Sequence, residues 1–174
     1  MPGQRTRGSR LRALVSCLLL LPAPLLAQAT SAPNPTAQRD SIVARARAQL
    51  GTRYRLGGEK PETGFDCSGL IRYVLAAFDM RPPRTSALMA LFGQEIPRDT
   101  AQLRVGDLLT FGFGNRVSHI GIYIGNGRYV HASSGSGKVI ESSLARKGAK
   151  VKPWIGVRRP LNLPDSSTVT AARD

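Results

Sequence analysis

The chain has 174 residues and carries 25 Lys and Arg against 11 Asp and Glu, a net charge of +14. That length supports one domain of ordinary size once any leader is set aside. Aromatic residues are sparse and no nucleic-acid motif is recognisable, so the charge points to anionic envelope polymers or membrane surfaces rather than to nucleic acid.

Residues 1–10, MPGQRTRGSR, hold three Arg and no acid, and Leu11 to Leu26 are almost wholly apolar. Small residues follow at Ala27-Gln28-Ala29, which completes the pattern of a secretory signal peptide cleaved after Ala29. The apolar run is shorter than the ~20 residues of a spanning helix, and Pro22 and Pro24 interrupt it. Leu14-Val15-Ser16-Cys17 is similar to a lipoprotein lipobox. Arg12, however, leaves almost no apolar run before Cys17, and the run continues past it, so cleavage rather than lipidation is the expectation. The mature chain is then periplasmic or extracellular, with no transmembrane span. It keeps 21 basic and 11 acidic residues, net +10, and a single thiol, Cys67. An unpaired thiol in an exported chain is a candidate for reactivity.

Residues 30–38 read as a flexible linker and residues 161–174 as a disordered tail, which leaves one domain over 39–160. Asp40–Gly51 predicts a helix capped by Asp40 and ended by Gly51, with Ile42, Val43, Ala46 and Leu50 on one face. A Gly-rich loop, TRYRLGGEKPETG, precedes a second helix after Cys67, whose stripe is Leu70, Ile71, Val74, Leu75 and Phe78. Arg84–Gly93 predicts a shorter helix capped by Thr85 or Ser86. From Leu103 the period changes to short β-rich runs, GDLLTFGF, HIGIYIG, RYVHAS, KVIESSL and WIGVRRP. Helices first and strands afterwards define an α+β domain, its N-terminal helices packed on a mainly antiparallel sheet.

The chain's two histidines, His119 and His131, flank one hairpin, SHIGIYIGNGRYVHAS. A two-residue Asn126-Gly127 loop would set His131 opposite Ile122, on the face away from His119. A three-residue Gly125–Gly127 loop instead pairs Ile122 with Val130 and Tyr123 with Tyr129, and puts both imidazoles on one face. The apolar pairing selects the second register. One His beside a reactive Cys can take its proton, and a second can orient the first. Cys67 begins a helix, where unsatisfied N–H groups and the helix dipole favour thiolate and can hold an oxyanion. Taken singly, each residue has a plainer reading: a small packed thiol, Asp66 as a simple N-cap, a satisfied histidine. Zinc would find only three ligands, at unusual spacing. Together, the lone thiol and the paired histidines favour thiol catalysis.

FDCSGLIRYVL, then GDLLTF about fifty residues on, then SHIGIYIGNGRYVHAS resemble the NlpC-type cell-wall cysteine peptidases of the papain-like structural group. The likeness runs from about residue 38 to 160. It implies Cys67 as nucleophile, His119 as base and acid, and His131 as the orienting third residue. It also implies Tyr54 near the oxyanion or substrate, Asp66 and Ser68 shaping the peptide subsite, and supportive roles for Ser118 and Arg84. Leu56 stands where the family often has an aromatic, Met89 where a Gln is common and Val105 where a Pro is frequent; the first two bear on the substrate groove. The expectation is a monomeric peptidoglycan endopeptidase needing no metal or organic cofactor. Its substrate would be a stem peptide, cut between D-glutamate and a diamino acid or at a D-alanyl cross-link, and its positive charge would hold it on anionic envelope polymers. Acyl or amide transfer on the same fold, or a non-catalytic wall-binding role, are the alternatives.

Overall fold

A computed structural model describes residue 3, residues 34–148 and residues 151–160 of the chain. The expected signal peptide, Cys17 and the tail at 161–174 lie outside the described residues. Among the described helices none is long and apolar enough to cross a membrane.

Helix α1 (Pro35–Arg47) starts before Asp40. Asn34 is its cap, with Oδ1 accepting the Thr36 N–H at 3.0 Å, and Pro35 fills the first turn, where a missing N–H costs nothing. Residues 35–38, expected in a linker, are therefore helical. Ile42, Val43 and Ala46 are buried as expected, whereas Leu50 lies beyond the helix end and is exposed. Helix α2 (Cys67–Ala76) begins where the sequence places it, with Asp66 as its cap, and buries Leu70, Ile71, Val74 and Leu75. Helix α3 (Ser86–Met89) is one turn long and capped by Thr85.

The strands are β1 (Glu59–Lys60), β2 (Gly64–Phe65), β3 (Gln94–Ile96), β4 (Leu108–Phe113), β5 (Arg116–Gly125), β6 (Arg128–Ser133), β7 (Lys138–Ser143) and β8 (Trp154–Arg159). β1 and β2 form a small hairpin. The other six make one antiparallel sheet in the order β3-β8-β4-β5-β6-β7. Side chains alternate faces along these strands, so the sheet has two apolar sides. Ile120, Ile122, Val130, Ala132 and Val139 pack with the α1 and α2 stripes, and Met89 joins them. Leu109, Phe111, Tyr123, Tyr129 and Val157 form a second cluster with Trp154 and Leu144. Met89 is fully buried, so it fills the helix-side core and does not line a groove; Leu56, in contrast, is 83% exposed.

Asp107, fully buried before β4, ties the ends of this unit together. Its carboxylate accepts Arg159 Nε and Nη2, each at 2.8 Å, and the Arg104 N–H at 2.9 Å, and forms an ion pair with Arg39 at 3.7 Å.

Candidate active site

The β5–β6 hairpin carries both imidazoles. Ile122 pairs with Val130 and Tyr123 with Tyr129, the register expected from apolar pairing, but the route to it differs. Gly125 pairs with Arg128, so the loop itself is Asn126-Gly127, with φ of 52° and 66°, as a two-residue hairpin turn demands. The extra residue sits in the strand as a bulge at Ile124, which restores the register. A second bulge lies beside His119. Phe111 pairs with His119 and Gly112 with Val117, so Ser118 is left without a partner across the β4–β5 ladder. Sequence reasoning had no signal for either bulge.

With the histidines on one face, His119 Nε2 lies 2.7 Å from His131 Nδ1, and the rings meet edge-on at 4.8 Å between centroids. Gly121 makes this approach possible. A Cβ there would stand 2.8 Å from the Tyr129 ring, 3.0 Å from the Val130 carbonyl and 3.3 Å from His131 Cβ. Phe111 and Tyr129 flank the pair, with centroids 5.9 Å from His119 and 4.9 Å from His131. His131 Nε2 in turn lies 3.0 Å from Ser142 Oγ on β7, a residue the sequence reading did not single out. His131 opposes Ile140 across the β6–β7 ladder, and Ser142, two residues on, shares the face; only the register reveals it.

Burial holds both imidazoles neutral. His119 is pushed down to about 3, chiefly by burial and then by the charges of His131 and Lys152. His131 is pushed down to about 4 by burial, with a smaller effect from Arg146.

Cys67 reaches this hairpin from the first position of α2. Its sulfur lies against the amide that joins His119 to Ile120, and against the N–H groups of Ser68 and of Cys67 itself. These amides favour the thiolate, as the helix-end argument expected. Burial and the Asp66 charge outweigh them, and the net shift of Cys67 is upward. The thiol and both imidazoles are therefore neutral at rest.

Tyr54 lies in a segment that extends the β7 edge. Its N–H donates to the Gly137 carbonyl at 2.7 Å, and it bridges Phe65. The Tyr54 phenol pKa is raised by burial first and then by Cys67 and Asp66, which places it near the thiol. Asp66 has both oxygens engaged. Oδ1 accepts the Gly69 N–H at 2.7 Å and the Ser68 hydroxyl at 3.1 Å; Oδ2 accepts the Gly57 N–H at 2.9 Å. Arg84 grips both oxygens at 3.1 and 2.6 Å, donates to Ser68 Oγ at 2.8 Å and also pairs with Glu59. The Asp66 pKa falls below its ordinary value because these donors, Arg84 foremost, outweigh burial. Asp66, Ser68 and Arg84 thus lock the start of α2. Ser118 is exposed, and its carbonyl accepts Lys152 Nζ at 3.5 Å.

A cavity of about 330 Å³ opens beside the histidines, and Ser133, Ser136, Arg146 and Lys152 are among the residues that line it. Among the described residues no three His, Cys, Asp or Glu side chains converge as a metal would require.

An α+β unit with a cysteine at a helix start and a histidine pair on the facing hairpin defines a class, and comparison with known proteins gives the family. Residues 51–159 match the NlpC/P60 family, and the chain belongs to it. It is 43% identical over 93 residues to the murein DD-endopeptidase MepS/murein LD-carboxypeptidase of Escherichia coli, covering 53% of this chain and 48% of that protein. It is 30% identical over 165 residues to the gamma-DL-glutamyl hydrolase of Bacillus subtilis, covering 92% of this chain and 39% of that one. Among solved structures, the P60 domain of the M. avium subspecies paratuberculosis antigen MAP1204 aligns with a TM-score of 0.60 at 32% identity, over 71% of this chain and 96% of that one. The chain spans less than half the length of the curated relatives it matches.

Proposed function

We propose that this chain is a cell-wall hydrolase, an exported cysteine-type endopeptidase that cuts an amide bond in peptidoglycan stem peptides. The observation that carries the reading is the 2.7 Å contact between His119 and His131 on the hairpin against which the Cys67 thiol is packed. The murein endopeptidase and the gamma-DL-glutamyl hydrolase among its relatives support this substrate class.

His119 has one ring nitrogen committed to His131, so Nδ1 is the atom free to act. As the sulfur attacks the scissile carbonyl, Nδ1 takes the thiol proton. Because thiol and imidazole are both neutral at rest, proton transfer accompanies attack instead of preceding it. The imidazolium is stabilised by His131, whose Nδ1 accepts from His119 Nε2–H. The Cys67 N–H, joined by the Tyr54 hydroxyl, donates to the oxyanion. His119 then protonates the leaving amine, and a water deprotonated by His119 hydrolyses the thioester. Arg84 and Asp66 keep Cys67 in place through the α2 cap, with Ser68 and Ser118 supporting the substrate side.

Mass spectrometry of fragments released from purified peptidoglycan tests this reading, with Cys67→Ala as the comparison. New peptide termini from the wild-type chain alone support it, and their masses identify the bond. Equal release by both chains, or none by either across several wall chemistries, overturns it.

A further inference from the structure

The roles of the four ring nitrogens are coupled, and the coupling ends at a hydroxyl. For His119 Nδ1 to accept a proton it must be bare, so His119 carries its proton on Nε2. That N–H points at His131 Nδ1, 2.7 Å away, which must then be bare as well. His131 therefore carries its proton on Nε2, facing Ser142 Oγ at 3.0 Å. If Ser142 donated to His131 instead, both rings would reverse and His119 Nδ1 would hold a proton, unable to take another.

We infer that Ser142 is a positioning residue of this site: by accepting from His131 Nε2 it fixes the tautomer of both histidines and keeps His119 Nδ1 free for the thiol proton. The inference rests on the hydrolase reading for its consequence but not for its geometry. Ser142 is buried, as is His131, so solvent does not compete for the bond. Ser142 stands opposite Tyr129 across the ladder, which holds its hydroxyl at His131. Threonine can accept the same bond; alanine cannot.

Nitrogen-15 NMR of the histidine rings at pH 7.5, on the whole chain, reads the tautomers without any substrate. Wild type should show both rings protonated on Nε2. Ser142→Ala should show mixed tautomers on both, and Ser142→Thr should restore the wild-type pattern. On soluble muropeptides, kcat of Ser142→Ala should fall by about 10–100-fold, with KM within about twofold, as expected when the partner that orients an imidazole is lost. Ser142→Thr should stay within about threefold of wild type. Unchanged ring tautomers in Ser142→Ala overturn the inference, whatever the rate. If the tautomers shift as stated while wild type itself releases nothing, the hydrolase reading fails and the role of Ser142 stands.

Discussion

Lowering the pH from 7.5 to 5 should remove about 4 kcal/mol of folding stability, because the two histidines are the groups that gain protons on unfolding in this window. An unfolded histidine titrates near 6.5, whereas His119 and His131 are held at about 3 and about 4 in the fold. At pH 5 the unfolded chain binds close to two protons that the folded chain refuses. Each accounts for roughly 1.5 pH units at ~1.36 kcal/mol per unit, or ~2 kcal/mol. The sign follows from the direction of the shift: depressed folded pKa values give stability that is full above 6.5 and lost as pH falls toward the folded values. A domain of this size has a total of about 6–18 kcal/mol, so the loss is a large share of it. Urea midpoints measured at half-unit steps from pH 8 to 5 give the slope, and the paired variant His119→Gln/His131→Asn should be nearly flat over the same range. These are the chain's two histidines, so no other imidazole contributes. A wild-type loss below about 1 kcal/mol, or an equal loss in the paired variant, would refute the claim that the fold holds both rings neutral. Asp66, whose pKa is lowered, adds its own loss only at more acid pH, as its carboxylate protonates.

Asp107→Asn should destabilise the chain by about 3–5 kcal/mol, the usual effect of breaking a buried ion pair, since two guanidinium groups lose this carboxylate; a thermal melt unchanged from wild type would contradict it. Gly121→Ala drives a methyl against the Tyr129 ring and the Val130 carbonyl, and should cost about 1–3 kcal/mol while lengthening the histidine contact, to be seen as lost peptide release at a temperature where the variant is folded. Lys152→Ala removes a cation that depresses His119, so the His119 pKa read by NMR should rise; a fall would reverse the electrostatic assignment.

Much of this site was legible because few residues carry it. The face shared by His119 and His131 followed from pairing Ile122 with Val130 and Tyr123 with Tyr129, a choice enforced by apolar contacts on both sides of the sheet. Asp66 read as a cap because a carboxylate before a helix has a local function that needs no tertiary information. The misses have different causes. Asn34-Pro35 is a cap and first turn, yet the small polar residues around it suggested a linker. The three-residue edge strand β3 is too short to show a period. The upward shift of Cys67 depends on how deeply α2 is packed, and Ser142 on the β6–β7 register, both products of assembly and not of local sequence.

The bulge at Ile124 is what lets a two-residue turn and the pairing of Tyr123 with Tyr129 coexist in a hairpin of this length. If that residue instead paired regularly, opposite Tyr129 and above the same Asn126-Gly127 turn, β6 would slide by one position. His131 would then face the helices opposite Ile122, and an apolar neighbour would take its place beside His119. Deleting Ile124, in contrast, removes the bulge and leaves Tyr123 opposite Tyr129, so both imidazoles stay on one face. Among descendants of this chain, a hairpin one residue shorter should therefore keep the histidine pair, whereas one that loses the bulge at full length should not.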